Sequence, residues 1–347
     1  MFLLAALAWF DAAPAAAQLP RLARVAEIGC EDCGDARQLS LTWDVAVDES
    51  GNVLVVDRDA PTLRAFDKTG KPLWGRGRPG AGPGEYRFAM RAALGPDATV
   101  HVVDMRLRRL TRLRADGSVA KSLTIPFFVA GSAARGRMGE LVLLTDDFKR
   151  TGTVYRWLAG ADAPALVTSF QTPAPGEGTL SGSIAVAPNG TIAYLLTADT
   201  YAIHRVSSSG QALPDLTRDI ARPRRTPEEI AAMKNRMAMV GGASKAAQES
   251  KSSGGSKSLL ADDERFRFKP HASADALRYD DAGRLWVRTL RGTDTSTVFD
   301  LFSGAGAYLG EVTLPTRVES YSLAGSYLAT ATDRADGTPM VVLWTVH

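Results

Sequence analysis

The sequence predicts an all-β fold, a six-bladed β-propeller closed by a strand from the N-terminal part of the chain. Three observations predict it: short β-type runs between turn residues, a repeat of these runs every roughly 40–50 residues, and chain ends that complete one another. The composition suits this fold, because 45% of the 347 residues are hydrophobic, 23% are charged and 32 are glycines. Such values exclude wholesale disorder and leave room for a packed core.

The first repeat unit contains four β-type runs rich in apolar, β-branched and aromatic residues. The predicted strands are Thr42–Val47, Asn52–Asp57, Thr62–Asp67 and Lys71–Gly75. Gly, Asp and Asn separate these runs, as they do in tight turns. Four antiparallel strands in about 40 residues are what one propeller blade requires.

The turn before the second strand of this unit recurs along the chain. It falls at Gly51, Ala98, Gly139, Gly190, Gly283 and Gly325. The interval between Gly190 and Gly283 is 93 residues, and it shortens to 45 when the 48 residues of 222–269 are set aside as an insertion. Six recurrences predict six blades.

The last repeat supplies too few strands for a complete blade. Its three predicted strands are Arg317–Leu323, Ser326–Thr330 and Met340–Val346. The β-type run Arg24–Ile28 is the expected fourth strand. This arrangement joins the two ends of the chain and leaves no open sheet edge between the first and last blades.

Several motifs resemble those of a known family. They are the turn and strand Gly51–Asp57, the loop Gly75–Tyr86, the pair Arg108-Arg109 followed by Ala115-Asp116-Gly117, and the segment Gly283–Arg288. With these motifs the chain resembles the bacterial six-bladed β-propellers related to NHL-repeat proteins, over nearly all of its length. The resemblance implies the fold, and it leaves function open, since propellers include binding proteins, lyases, lactonases and scaffolds.

The N-terminal segment reads as an export signal. Met1–Phe10 is apolar, and Ala15-Ala16-Ala17 has the small-x-small form of a signal-peptidase site. We therefore expect a signal peptide over residues 1–17, a propeller domain over 18–347, and a periplasmic or secreted protein with no stable membrane span after cleavage. An N-terminal anchor or a misassigned start is the alternative. In an oxidising compartment Cys30 and Cys33 are expected to form a local disulfide.

The insertion 222–269 differs in composition from the repeats around it. Thr226-Pro227-Glu228-Glu229 is a capping box that predicts a helix start. Ile230, Met233, Met237 and Val240 follow at helical spacing, and residues 243–258 lack apolar periodicity. The insertion holds 11 Lys/Arg and 6 Asp/Glu, a net charge of +5. It is either a surface excursion packed on the propeller or a lid that binds a partner.

The candidate ligand- or partner-binding residues lie where the second strands of the repeats end, at the expected mouth of the central channel. They are Asp57, Asp104, Arg106, Asp146 and Arg288. A structural role competes with this interpretation, because Asp57 and Asp104 can instead hydrogen-bond the next turn. No catalytic residue, metal ligand or cofactor is predicted, although a channel Ca²⁺, which needs six to eight oxygen ligands, stays open.

The composition and motifs favour a monomeric binding or scaffold protein that recognises an unknown protein or small ligand through a propeller face. The alternative is a metal-dependent lactonase or hydrolase, or a lyase, that acts at the central channel. Nucleic acid is not expected as a partner. The net charge is only +3, and the arginine-rich run Met105–Arg114 contains no interleaved aromatic residues on which bases could stack. The spacing along Arg109–Arg114 predicts a solvated strand face rather than a phosphate track.

Overall fold

The computed structural model describes residues 19–29, 34, 37–59, 62–95, 99–136, 139–146, 150–172, 182–196, 200–231 and 268–347. Over these residues the chain forms six four-stranded antiparallel sheets. The predicted all-β, six-bladed propeller is confirmed. The expected signal peptide, both cysteines and residues 232–267 of the insertion lie outside the described residues, so the expectations that concern them stay predictions.

The strands follow one another blade by blade. β1 (Leu22–Ile28) precedes the first complete blade, which is β2 (Thr42–Val47), β3 (Val53–Asp57), β4 (Leu63–Phe66) and β5 (Pro72–Arg76). The short parallel pair β6 (Arg78–Pro79) and β7 (Glu85–Tyr86) lies in the connection to blade 2. Blade 2 is β8 (Ala89–Leu94), β9 (Val100–Asp104), β10 (Arg109–Leu113) and β11 (Val119–Thr124).

The remaining blades repeat the pattern. Blade 3 is β12 (Val129–Arg135), β13 (Leu141–Asp146), β14 (Thr151–Trp157) and β15 (Ala165–Gln171). Blade 4 is β16 (Ile184–Val186), β17 (Ile192–Leu195), β18 (Ala202–Val206) and β19 (Ala212–Thr217). Blade 5 is β20 (Ala272–Tyr279), β21 (Leu285–Thr289), β22 (Thr297–Phe302) and β23 (Tyr308–Leu314), and blade 6 begins with β24 (Ser320–Ala324), β25 (Tyr327–Asp333) and β26 (Pro339–Val346).

The four strands of each blade are called A to D from the channel outwards. Because neighbouring strands are antiparallel, the turns from A to B all lie at one end of the propeller, which we call the A–B face. The B-to-C connections and the connections between blades lie at the other end, the B–C face. Gly51, in the first A–B turn, has φ +85°, and a Cβ atom there would lie 2.9 Å from the ring of Tyr327. Glycine therefore satisfies both the backbone conformation and the close packing.

The predicted closure by the N-terminal strand is confirmed. β1 pairs with β26, from Leu22 opposite Val346 to Ile28 opposite Val341. Ile28 is fully buried and belongs to one hydrophobic cluster with Val341 of blade 6 and Phe66 of blade 1. Blade 6 is thus completed by both ends of the described chain, and its outer strand also seals the contact with blade 1.

The arginine-rich run of blade 2 was expected to be a solvated strand face, and this prediction is wrong for two of its members. Arg109 donates to the carbonyl oxygens of Ala81 and Gly82, and Arg112 donates to the carbonyl of Ala161. Each guanidinium supplies several donors in a rigid fork, which suits the bare carbonyls of irregular loops. These side chains hold loops of adjacent blades in place.

The two described ends of the insertion are tied to each other at its base. Arg224 and Phe268 form an antiparallel bridge, and Lys269 N–H donates to the Pro223 carbonyl over 2.7 Å. The capping box predicted at the start of the helix is present. The Glu229 carboxylate accepts from Thr226 N–H at 2.9 Å, and the Thr226 hydroxyl accepts from Glu229 N–H at 3.2 Å.

Candidate functional site at the B–C face

The five predicted site residues come from the same end of the propeller. Asp57, Asp104 and Asp146 end the B strands of blades 1, 2 and 3, Arg106 lies in the turn that follows β9, and Arg288 precedes the last residue of β21. The B–C face is therefore their common location. Whether they bind a ligand stays a prediction.

Two of these residues organise the backbone at this face. The Asp57 carboxylate accepts hydrogen bonds from Ser40 N–H and Leu41 N–H, both at 3.0 Å. The Asp104 carboxylate accepts from Arg87 N–H at 2.7 Å, Phe88 N–H at 3.1 Å and Leu107 N–H at 2.9 Å. Both carboxylates are fully buried. Each one anchors the segment that leads into the A strand of its own blade, as a carboxylate that accepts several N–H groups does in a turn.

The segments anchored in this way carry aromatic side chains to the B–C face. Trp43 is 38% exposed and meets the Phe88 ring edge-on, with the ring centroids 5.3 Å apart. The Arg106 guanidinium lies over the same Phe88 ring, 5.9 Å from its centroid. We call this surface the aromatic–arginine patch; it consists of Leu41, Trp43, Arg87, Phe88, Arg106 and Arg108.

The charge of the patch is strongly positive. Arg87, Arg106 and Arg108 are exposed. Over the described part of the chain, none of the three forms an ion pair with a carboxylate. The nearby Asp104 carboxylate is buried and occupied by backbone N–H groups. An exposed tryptophan packed on a half-buried phenylalanine, with an arginine over the ring, is a composition that interface contacts favour.

Sequence reasoning identified Arg106 and missed Trp43 and Phe88. Both aromatics lie within or just before an A strand, so their residue types are equally typical of a buried blade interior. Trp43 is exposed because the pairing of β2 with β3 shifts register between Thr42 and Asp44. A bulge of this kind re-aims a side chain without leaving a clear signal in the sequence.

The channel contains a belt of buried and half-buried charged groups contributed by blades 1, 2 and 5. The buried charge belt consists of Asp44, Arg91, Asp275, Arg278 and Arg288. The Asp44 carboxylate accepts from the Ser320 hydroxyl at 2.7 Å and from Ala92 N–H at 3.0 Å. Arg278 Nη2 lies 2.8 Å from Asp275 Oδ2.

The pKa values of the two carboxyl groups in the belt are shifted in opposite directions. Burial raises the pKa of Asp44, and the opposing charge of Arg91 does not fully offset it. Burial alone would also raise the pKa of Asp275, but the charges of Arg278 and Arg91 outweigh it and hold that pKa below its usual range. Arg278 and Arg91 therefore stabilise the charged form of Asp275. Its Oδ1 atom is buried and has no hydrogen-bond partner among the described residues.

Two cavities lie at the two ends of this belt. At the A–B face a cavity of about 90 Å³ is lined by residues of all six blades, including Arg278. At the B–C face a larger cavity of about 520 Å³ lies between blades 5 and 6, beside the base of the insertion. Arg288 forms part of its lining and is 7% exposed. Burial lowers the pKa of Arg288, and its Nη1 donates to the Val318 carbonyl.

Metal-ligating side chains do not cluster in the described residues: no group of three or more His, Cys, Asp or Glu side chains lies close enough to hold an ion. In the same part of the chain, no helix has the length and apolar character needed to cross a membrane.

Several solved structures have the same fold with a TM-score above 0.5, among them the following three. A gluconolactonase from Xanthomonas campestris has a TM-score of 0.51 at 13% identity, covering 94% of this chain and 90% of its own. An exported protein from Bacteroides fragilis, described as putative, has a TM-score of 0.53 at 12% sequence identity. The match covers 95% of this chain and 96% of that protein. The PQQ-bound aldose sugar dehydrogenase of Streptomyces coelicolor has a TM-score of 0.53 at 16% sequence identity. The match covers 96% of this chain and 100% of that protein.

These likenesses show the fold. At identities of this size they carry no activity across, because the same propeller hosts unrelated functions. No protein-family model matches the chain, and no curated protein matches it. The expected resemblance to six-bladed propellers related to NHL-repeat proteins is thus confirmed at the level of architecture.

Proposed function

We propose that the protein is an exported binding module that docks a protein partner through the aromatic–arginine patch of the B–C face. The observation that carries the proposal is the cluster of exposed Trp43 and Arg106 around the half-buried Phe88 at one end of the propeller. Tryptophan and arginine are the side chains that most often dominate the energy of protein interfaces. The predicted site residues Asp57 and Asp104 accept hydrogen bonds from the backbone segments that carry this surface, and so fix its position.

The chemistry of the patch suggests what the partner presents. Arg106 lies over the Phe88 ring, and Arg87 and Arg108 are exposed next to these residues in the chain, so a complementary surface has one or more carboxylates around a large apolar side chain. Leu41 adds an exposed aliphatic contact beside Trp43. A rigid scaffold that carries such a patch loses little conformational freedom on binding.

Export is part of the proposal. The apolar run Met1–Phe10 with its small-x-small site supports it, and so does the structural likeness to a Bacteroides fragilis protein described as exported. The partner is then expected in the periplasm or outside the cell.

The test is a binding measurement on a partner captured at the patch. A photo-crosslinking residue at position 41 in the native host identifies the partner, which is then purified and titrated against the intact protein. Trp43→Ala and Arg106→Glu should each weaken binding by at least about tenfold, as truncation of an interface hot spot does. Circular dichroism and melting temperature verify that each variant is folded.

Two matched variants serve as controls. Leu166→Ala removes an apolar side chain that is 62% exposed on the outer strand of blade 3, and Arg114→Glu makes the same charge reversal at the A–B face. Both should bind like the wild type. Equal binding by the patch variants would contradict the proposal. The hydrolase or lyase alternative would be favoured if the purified protein retained one divalent metal ion per chain and its melting temperature changed on addition of Ca²⁺, Mg²⁺ or Zn²⁺.

A further inference from the structure

The outer strand of each blade leaves one sheet edge facing away from the propeller. The six outer strands are β1, β5, β11, β15, β19 and β23. An open edge presents unpaired N–H and C=O groups that can pair with another chain, and proteins usually protect it with charged side chains or proline. Five of the six strands contain such residues. They are Arg24 and Glu27 in β1, Pro72 and Arg76 in β5, Lys121 in β11, Pro214 and Asp215 in β19, and Glu311 in β23.

β15, the outer strand of blade 3, is the exception to this rule. Its seven residues (ALVTSFQ) include no charged residue, proline or glycine. The side chain of Leu166 is 62% exposed, more than that of any other large hydrophobic residue in the described part of the chain. Ser169 and Gln171 are exposed as well. An uncharged, partly apolar edge of this kind has the composition that favours pairing with a further strand.

The positions of the free backbone groups on β15 follow from its pairing with β14. The register of the two strands places Arg150 opposite Thr172. The Thr172 N–H group donates to the Arg150 carbonyl over 3.0 Å, so these two residues form a hydrogen-bonded pair. Hydrogen-bonded and non-hydrogen-bonded pairs alternate along an antiparallel ladder, so the N–H and C=O groups of Ser169 and Gln171 point away from β14. Among the described residues, none forms a backbone hydrogen bond with Ser169 or Gln171 on that side.

The packing of β15 on blade 4 holds this edge in a fixed conformation. The Phe170 ring stacks on the Tyr194 ring, with centroids 4.8 Å apart and planes inclined by 14°. A Cβ atom at Gly152 on β14 would collide with the Phe170 ring, so glycine makes room for the stack. Val167 packs against the same hydrophobic cluster. A strand fixed in this way loses little conformational freedom when it pairs.

Charge favours a second copy of the same strand as the partner. Two identical edge strands pair in antiparallel about a two-fold axis, which brings side chains near the axis close to their own counterparts. A charged side chain there would meet the same charge, and like charges on opposing strands are destabilising. β15 meets its own copy without this repulsion, because it contains no charged residue.

We propose that two copies of the protein form a dimer in which their β15 strands pair in antiparallel and join the two blade-3 sheets into one. The outward-pointing groups set the register: Ser169 of each copy lies opposite Gln171 of the other, with Phe170 at the two-fold axis. Each of these residue pairs then forms two N–H···O=C hydrogen bonds. Phe170 lies opposite its own copy, and aromatic cross-strand pairs stabilise a sheet.

This interface is separate from the partner-docking patch. β15 lies at the perimeter of blade 3, whereas the aromatic–arginine patch belongs to blades 1 and 2. The dimer therefore leaves both copies of the patch free, and either proposal can fail while the other stands. A dimer departs from the monomer expected from the sequence, because open edges become apparent only when the sheet order shows which strands are outermost.

The first test is sedimentation velocity of the full protein from about 1 to about 100 μM, the range in which small, weak interfaces associate. The molar mass should change from that of one chain to that of two over this range. Hydrogen exchange of residues 165–171 should slow over the same concentrations, because the Ser169 and Gln171 amides become hydrogen-bonded. The exchange measurement needs no variant, and it locates the interface.

A pair of oppositely charged variants tests the register. Ser169→Lys/Gln171→Lys and Ser169→Glu/Gln171→Glu each place like charges directly opposite one another, so each should remain a single chain up to about 100 μM. An equimolar mixture of the two should form a 1:1 dimer, because opposite charges then face each other. Ser122→Lys/Thr124→Lys makes the same change at exposed residues of β11 and should dimerise like the wild type.

Melting temperatures verify that the variants are folded, and if one is not, the exchange measurement on the wild type still decides. A single-chain mass at every concentration would overturn the proposal. It is also overturned if the protein dimerises while exchange of residues 165–171 is unchanged, if the lysine variant at β15 dimerises like the wild type, or if the mixture of folded variants stays as single chains.

Discussion

At the scale of single residues, the carboxylates at the ends of β3 and β9 mainly accept hydrogen bonds from backbone N–H groups. Asp104 is fully buried and accepts three N–H groups from two separate segments of blade 2. Asp57 holds Ser40 and Leu41 in blade 1 in the same way. Because these segments lead into the A strands, two buried side chains determine where Trp43 and Phe88 emerge at the B–C face.

Replacing Asp104 with alanine is therefore expected to cost about 2–4 kcal/mol in the free energy of unfolding. Three N–H donors lose their acceptor in a site that water reaches poorly, and each unsatisfied buried donor is costly. Urea unfolding monitored by circular dichroism measures the loss. Asp116→Ala, which removes an exposed turn carboxylate from the same blade, should cost less than about 1 kcal/mol. Similar losses for the two variants would show that the Asp104 contacts are unimportant.

At the scale of secondary-structure elements, β1 is the one that closes the ring. It pairs with β26 along its whole length, and without it the outer edge of blade 6 would present unpaired N–H and C=O groups. Ile28 adds a fully buried side chain at the contact between blades 6 and 1. The strand therefore contributes both backbone pairing and packing between blades.

Ile28→Ala should lower the free energy of unfolding by about 2–4 kcal/mol, because it removes buried methyl groups and leaves a cavity between two blades. Val25→Ala, on the same strand but 44% exposed, should cost less than about 1 kcal/mol. Chemical denaturation of both variants is the measurement. If the two values agree within error, β1 does not seal the contact between blades 6 and 1.

At the scale of the whole molecule, the excursion between blades 4 and 5 is anchored by its own base. Pro223 and Arg224 bond Lys269 and Phe268, and Lys269 also pairs with Glu229 of the described helix start. The propeller on either side is complete without any residue from 232–267, since all four strands of blades 4 and 5 lie outside that range. Residues 243–258 have no apolar periodicity in the sequence.

Deleting residues 243–258 is accordingly expected to leave the fold intact and to change the melting temperature by less than about 5 °C. The entropic cost of closing a loop grows only slowly with its length. Differential scanning calorimetry of the deletion and the full chain tests this. A decrease beyond about 5 °C, which corresponds to more than 1 kcal/mol for a domain of this size, would show that the segment packs on the propeller.

Much of the architecture could be predicted because each blade is specified locally. A strand of four to eight β-type residues and a turn at a glycine need only neighbouring residues to be recognised, and their repetition counts the blades. The site could be predicted only in part. Arg106 and Arg288 were found from their place in the repeat, whereas Trp43 and Phe88 depend on a strand bulge and on contact between two blades.

The number of blades, the closing strand and the capping box at the base of the insertion are readable from the sequence alone, because strand periodicity, turns and caps arise from short-range interactions. Which side chains meet becomes clear only once the chain is folded. Asp44, Arg91 and Asp275 lie far apart in the chain and share one channel, and blades 5 and 6 enclose a cavity around Arg288. Closing the ring brings distant residues together, and the repeat pattern carries no information about those contacts.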